Sequence, residues 1–192
     1  SLTASYVNGQ EKYESGSLVS QQQDTIEKSH QWLNFKLLWD NYFERLRPVQ
    51  LGFYAVLNLS SQAFFSNYTS SLLAAPVFDP VAESKTVFLS NYRAYNYVAV
   101  GLKGVLGLSK RLNFRTGFYL FQPYRKIMRG EDNTAYFADP FADRHWMATG
   151  ALVYHTFIGP VSLSLNYFDN PEEKIFVALN IGYIIFNKRA LE

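Results

Sequence analysis

Val161-Ser162-Leu163-Ser164-Leu165-Asn166-Tyr167-Phe168 is the stretch that decides how this chain is read. Side chains of a strand alternate with period two, so Val161, Leu163, Leu165 and Tyr167 share one face and Ser162, Ser164 and Asn166 the other. The pattern returns upstream, where Leu33, Phe35, Leu37 and Trp39 oppose Asn34, Lys36 and Asp40. A soluble sandwich would turn the apolar rows into a core and wet the polar ones. Recurrence down the whole chain, in segments of about 9–11 residues with Trp, Tyr and Phe near their ends, favours a transmembrane β-barrel with lipid outside and a wet lumen inside.

The alternation predicts about eight antiparallel strands, over residues 1–8, 32–44, 49–58, 97–108, 112–122, 145–157, 161–168 and 174–186. In 49–58, Val49, Leu51, Phe53, Ala55 and Leu57 face outward against Gln50, Gly52, Tyr54 and Asn58. In 97–108, Val98, Val100 and Leu102 oppose Tyr97, Gly101 and Lys103, and in 112–122 Phe114, Phe118 and Leu120 oppose Arg115, Gly117 and Tyr119. Short connections at 45–48, 109–111 and 158–160 alternate with long loops at 9–31, 59–96 and 123–144, which a brief 170–173 follows. Short turns at one end and long loops at the other are what an up-and-down membrane barrel shows. Loop 59–96 carries Leu72-Leu73-Ala74-Ala75 and Val87-Phe88-Leu89, too apolar for solvent, and is expected to pack into the lumen or across its mouth.

Composition sets bounds without deciding. Aromatic residues are 17% of the 192, with 14 Tyr and 16 Phe, which suits interfacial girdles and a Tyr-rich sandwich alike. No apolar run approaches the ~18 residues of a spanning helix. A net charge of +2 with no long basic run gives no reason to expect a nucleic-acid partner, and without cysteine there is neither a disulfide framework nor a thiolate metal site. The chain begins inside a predicted strand with no leader, so it is expected to be a piece of a longer, exported precursor.

Catalytic signatures are not found in the sequence. No Gly-x-Ser-x-Gly elbow, phosphate loop or dinucleotide fingerprint occurs, and His30, His145 and His155 lack ligand spacing, so no catalytic residue, metal or cofactor is assigned. Asp79, Asp139 and Asp143 fall in Pro- and aromatic-rich loops and are read as turn formers. The charges that matter face inward. Lys36, Asp40, Lys103 and Arg115 would be costly in hydrocarbon and are assigned to a wet lumen, lining a pore or anchoring a loop. Arg93 is the candidate anchor of loop 59–96, with a solvated surface arginine as the alternative.

Several segments carry a resemblance to a known family. Phe65-Ser66-Asn67-Tyr68-Thr69, Leu72-Leu73-Ala74-Ala75-Pro76, and Glu83-Ser84-Lys85-Thr86 before Asn91-Tyr92-Arg93-Ala94 look like one family's long loop. His155-Thr156-Phe157-Ile158-Gly159-Pro160 leading into 161–167 is similar to its penultimate hairpin, and Asn180-Ile181-Gly182-Tyr183-Ile184-Ile185-Phe186 to its closing strand. The chain resembles the C-terminal barrel of outer-membrane patatin-like phospholipases, of the bacterial surface antigen superfamily that includes assembly insertases and two-partner secretion transporters. The resemblance implies the C-terminal half of a sixteen-stranded barrel in the outer membrane of a Gram-negative bacterium, with 59–96 as the sixth extracellular loop. It implies as partners outer-membrane lipids, the barrel-insertion machinery, the rest of the barrel and an N-terminal lipid acyl hydrolase domain, and leaves a homo-oligomer open. The superfamily's loop motif has an Arg-Gly-aromatic core, where this chain has Arg93-Ala94-Tyr95, and six residues follow Phe186 in place of an aromatic terminus.

Four readings follow. The first is a barrel anchoring, and offering passage to, a patatin-like hydrolase. The second is the barrel of a non-enzymatic assembly or secretion factor, the third a self-closed eight-stranded barrel, and the fourth a soluble ligand-binding barrel. On the membrane readings Arg replacing Leu163 or Leu165 is expected to be excluded and Arg replacing Ser164 tolerated.

Overall fold

A computed structural model describes residues 1–16, 23–43, 48–171 and 174–182. Ten strands form: β1 (Leu2–Gly16), β2 (Gln23–Tyr42), β3 (Val49–Ser60), β4 (Tyr97–Gly107), β5 (Leu112–Pro123), β6 (Ile127–Arg129), β7 (Ala135–Phe137), β8 (His145–His155), β9 (Pro160–Phe168) and β10 (Ile175–Ile181). Eight of them make one sheet in the order β1-β2-β3-β4-β5-β8-β9-β10, every neighbour antiparallel, while β6 and β7 pair as a separate small hairpin. The sheet is not closed: β1 and β10 are its edges and do not pair with each other among the described residues. A barrel closed by these strands alone, the third reading, is therefore not what forms. No helix among the described residues is long and apolar enough to cross a membrane.

Each predicted strand has an observed counterpart, with one large correction. Residues 9–31, expected as a long loop, are mostly strand: β1 and β2 pair from Leu2↔Leu37 out to Gly16↔Gln23. β3 ends at Ser60, opposite Asn34, so the hairpin continues past its neighbour. Beyond that point the hairpin is covered on one face only by Phe65 and Ser66, which meet Trp32, His30 and Glu11, so no continuous apolar row is required and the period-two signal fades although the ladder persists. Loop 123–144 likewise contains the β6–β7 hairpin. The predicted strand end at 183–186, most of the turn at 45–48 and part of the turn at 170–173 lie outside the described residues.

The two faces of the sheet differ as the alternation requires. Leu163 and Leu165 are 53% and 57% exposed, whereas Ser164 and Asn166 between them are 1% and 0%. Leu102, Val177 and Leu179 repeat the exposed row on other strands. The opposite face is covered by the chain's own loop 61–96. Tyr54, Val56, Tyr97, Ala99, Tyr119, Phe121, Met147 and Phe168 from the strands enclose Phe78, Leu89, Tyr92 and Ala94 of that loop in one buried cluster. Phe78 stacks on Phe121 at 5.4 Å between ring centroids and meets Tyr54, Tyr97 and Tyr119 edge-on at 6.1–6.3 Å.

Room for this cluster comes from glycines facing the same side. A Cβ on Gly101 would lie 2.3 Å from Tyr119 Cδ1, and one on Gly117 2.8 Å from Tyr119 Cε2. The Tyr119 ring thus lies over two positions without side chains, with its hydroxyl end over Gly117. We expect Gly101→Ala to displace that ring and destabilise the fold by about 1–3 kcal/mol. Thermal or denaturant unfolding of the variant beside Val100→Ala, on the exposed face, is the measurement. Equal losses would disprove the close approach.

Candidate functional site

The loop-covered face is the only part of the described chain where charged and polar side chains converge under cover. Its loop begins with Asn67, whose Oδ1 accepts from the Ser70 amide at 2.7 Å and caps helix α1 (Tyr68–Ala74). Pro76 follows Ala75 and ends the helix. Two short 3₁₀ turns, Glu83–Lys85 and Ser90–Tyr92, then bring the chain back to β4. A second small cluster of Leu72, Ala75, Tyr95 and Ile127, flanked by Phe64, Tyr68 and Ala135, ties α1 to the β6–β7 hairpin.

Polar anchors fix the loop to the strands. Glu83 Oε1 accepts from Ser164 Oγ at 2.8 Å and from Asn180 Nδ2 at 3.1 Å, reaching β9 and β10 together. The Tyr92 hydroxyl donates to the Trp146 carbonyl and accepts from the Asp169 amide at 2.8 Å. Asn91 Nδ2 donates to the Asp169 carbonyl at 3.1 Å, and Tyr97 Oη to the Val77 carbonyl at 3.1 Å. At the hairpin side, Glu11 accepts from the Ser66 amide (2.9 Å) and hydroxyl (3.0 Å) and meets His30 Nε2 at 3.0 Å. The His30 ring stacks at 4.4 Å on Phe65.

The five residues assigned from the sequence separate into three groups. Asp40 and Lys103 form an ion pair with each other, and Lys103 Nζ sits 4.3 Å over the Tyr42 ring. Tyr42, Gly52 and Lys103 lie opposite one another across β2, β3 and β4, so the bare Gly52 leaves the lysine room to cross a strand. Arg115 is exposed and, with Lys103, Glu83, Thr149 and Ser162, lines a cavity of about 420 Å³ between loop residues 80–83 and the strands. Lys36 is half-buried opposite Asn58, and neither it nor Arg115 has an ion-pair partner among the described residues.

The described contacts of Arg93 stay within its own loop. Its Nη1 donates to the Leu73 carbonyl at 2.9 Å and lies 3.5 Å from that of Ala75, with the guanidinium 5.1 Å from the Phe88 ring centre. Those are the free carbonyls at the C-terminal end of α1, where a cation is favoured. Burial lowers the Arg93 pKa from its ordinary value. The inward strand charges do not reach the loop. Glu83, which does, enters the sequence reading only within the Glu83-Ser84-Lys85-Thr86 segment and with no role of its own. Glu11 and Tyr92 gave no separate signal.

No family model, curated protein or solved structure matches this chain. Among the described residues no group of three or more His, Cys, Asp or Glu is placed to hold a metal. What the arrangement does chemically is hold a loop in place. A carboxylate, a tyrosine hydroxyl and an aromatic stack fasten a loop over one face of a sheet while leaving a polar cavity beside it.

Ser164 lies under the loop as Glu83's donor, so the expectation that arginine is tolerated there is corrected: it would displace the loop. We expect Glu83→Ala to cost about 2 kcal/mol of loop docking, since two hydrogen bonds to a charged acceptor are lost. Hydrogen exchange over 80–92 should accelerate while exchange of the β4–β5 ladder stays constant; no change would remove Glu83 as the anchor. At Glu11, burial pushes the pKa up, but the Ser66 amide, His30 and the Ser66 hydroxyl together outweigh it and hold the carboxyl below its ordinary value. Its contribution is therefore full above the ordinary carboxylate range and is lost as pH falls through the folded value. The Ser66 amide should exchange faster relative to its intrinsic rate as the solution is acidified, and Glu11→Gln should flatten that dependence.

Proposed function

We propose that this chain is a section of a transmembrane β-barrel of a Gram-negative outer membrane, completed by strands outside the chain to about sixteen. In this reading it anchors, and offers passage to, a patatin-like lipid acyl hydrolase domain that precedes it. The observation that carries the membrane part is the exposure contrast at Leu163, Ser164, Leu165 and Asn166. Leucines alternate with buried polar residues on a sheet whose other face is already filled, and among the described residues no protein layer lies over the apolar face. Such a face is expensive in water and natural in hydrocarbon. Two open sheet edges support completion by further strands, because an unpaired edge cannot be left in a bilayer. The hydrolase part rests on the resemblance of loop, penultimate hairpin and closing strand.

Orientation follows from loop length. The turns at 108–111 and 156–159 are short, the second closed by Thr156 Oγ1 donating to the Gly159 carbonyl at 2.6 Å, and they belong on the periplasmic side. Phe157, 96% exposed at that turn, would sit in the headgroup region.

Leu163→Arg or Leu165→Arg in the full-length protein should reduce the membrane-integrated fraction, at ~2–4 kcal/mol each near the midplane. Ser162→Arg, which lines the open cavity, should leave it unchanged. Equal acceptance on both faces in a membrane-flotation assay overturns the membrane reading. For the hydrolase, the deciding observation is the sequence joined to Ser1 in the parent protein. A Gly-x-Ser-x-Gly elbow supports it, and repeated small periplasmic domains replace it with the assembly factor.

A further inference from the structure

The outward face carries one feature that an even hydrocarbon-facing surface does not need. At the long-loop end, Leu57, Leu59, Val98, Gln122, Tyr124 and Phe141 line a groove of about 480 Å³. Leu57, Val98 and Gln122 lie opposite one another across β3, β4 and β5, each of which has both its neighbours. Strands that complete the barrel therefore do not cover it. Its wall comes from loop 123–144, where Tyr124 and Phe141 meet edge-on at 5.2 Å and the Phe141 amide donates to the Tyr124 carbonyl at 2.7 Å. Phe141 takes φ of 58°, a left-handed conformation that a bulky side chain rarely adopts. Strain of this kind persists where the surroundings impose it, and here it holds an exposed ring at the groove's lip.

Two guanidinium groups rest on the same walls. Arg144 Nε donates to Gln122 Oε1 at 3.0 Å, and Arg125 lies 5.4 Å over the Tyr124 ring. Both are exposed, and neither has an ion-pair partner among the described residues. The neighbouring Asp143 is paired with Lys126 at 3.7 Å, while Asp139 is exposed in the same turn. Over 123–144 the sequence has four basic and four acidic residues, so general attraction of anions does not distinguish this loop. Placement does: an apolar groove open to the hydrocarbon side ends beside two forked donors at its polar rim. Guanidinium forks match phosphate oxygens.

We infer that this groove binds one acyl chain of a phosphate-bearing lipid in the leaflet on the long-loop side, with Arg125 and Arg144 holding the phosphate and Phe141 the chain. The inference rests on the membrane reading above. A polypeptide occupant is disfavoured by the geometry, because the groove lies within the apolar belt where a free strand or loop has no partner for its backbone.

The test uses the full-length protein in nanodiscs of phosphatidylcholine doped with phosphatidic acid, followed by detergent release and native mass spectrometry of the lipid retained. Phosphatidic acid should be enriched over phosphatidylcholine, and the double variant Arg125→Gln/Arg144→Gln should lower that enrichment about tenfold. Phe141→Gly, which relieves the backbone while deleting the ring, should lower retention of both lipids. Arg111→Gln, at the opposite end of the sheet, should change neither. Unaltered enrichment in the double variant overturns the site, as does displacement of the lipid by inorganic phosphate or glycerol phosphate at millimolar concentration, which marks a headgroup site without a chain. A retained polypeptide in place of lipid overturns it as well. Failure of the protein to enter the bilayer would instead sink the membrane reading, so the two failures are distinguishable.

Discussion

Phe78 inserted among Tyr54, Tyr97, Tyr119 and Phe121 is the contact on which the rest of this structure depends. A strand commits its two faces together: whatever one row of side chains touches, the alternate row must face the other way. Once the loop fills one side with aromatic rings, the Leu, Val and Ile rows on the other side are left without protein cover. Had the sheet instead folded its apolar rows inward, Ser164, Asn166 and Asn58 would have been on the outside and Glu83 would have had no donors. The loop-covered face and the bare apolar face are one decision.

Electrostatics inside follow from the same packing. Lys103 and Asp40 neutralise one another across β3 because Gly52 leaves the path open, and so they hold three strands in register and leave the loop alone. Loop attachment falls to Glu83, Tyr92 and Asn91, whose partners are a hydroxyl, amides and carbonyls. These neutral partners cost less to desolvate than a second buried cation would. Arg93 does a different task, satisfying carbonyls at the end of α1 that the loop's own turn exposes.

Strand positions and facing were legible wherever one face is covered. Residues 161–168 and 49–58 show this plainly, since burial contrast and hydrophobic alternation have the same origin. The outer part of the β1–β2 hairpin was illegible for the complementary reason. In Gly9-Gln10-Glu11-Lys12 the covered side chain is a carboxylate held by Ser66 and His30, so the ladder is backed by polar contacts and writes no hydrophobic period into the side chains. For the candidate site, the inward direction of Asp40, Lys103 and Arg115 was readable, but their partners were not. Pairing across a strand depends on register, and the loop's docking depends on contacts between residues about eighty apart, such as Glu83 with Ser164. Arg93 could be picked out as a candidate, while the contacts it makes could not.

The β1–β2 ladder runs beyond its support for about ten residue pairs, on the order of 35 Å at a strand's rise. Midway along this projection, Glu11 grips Ser66, which precedes the Asn67 cap of α1. The hairpin is thus tied to the covering loop, and whatever seizes it also holds the segment that leads into α1.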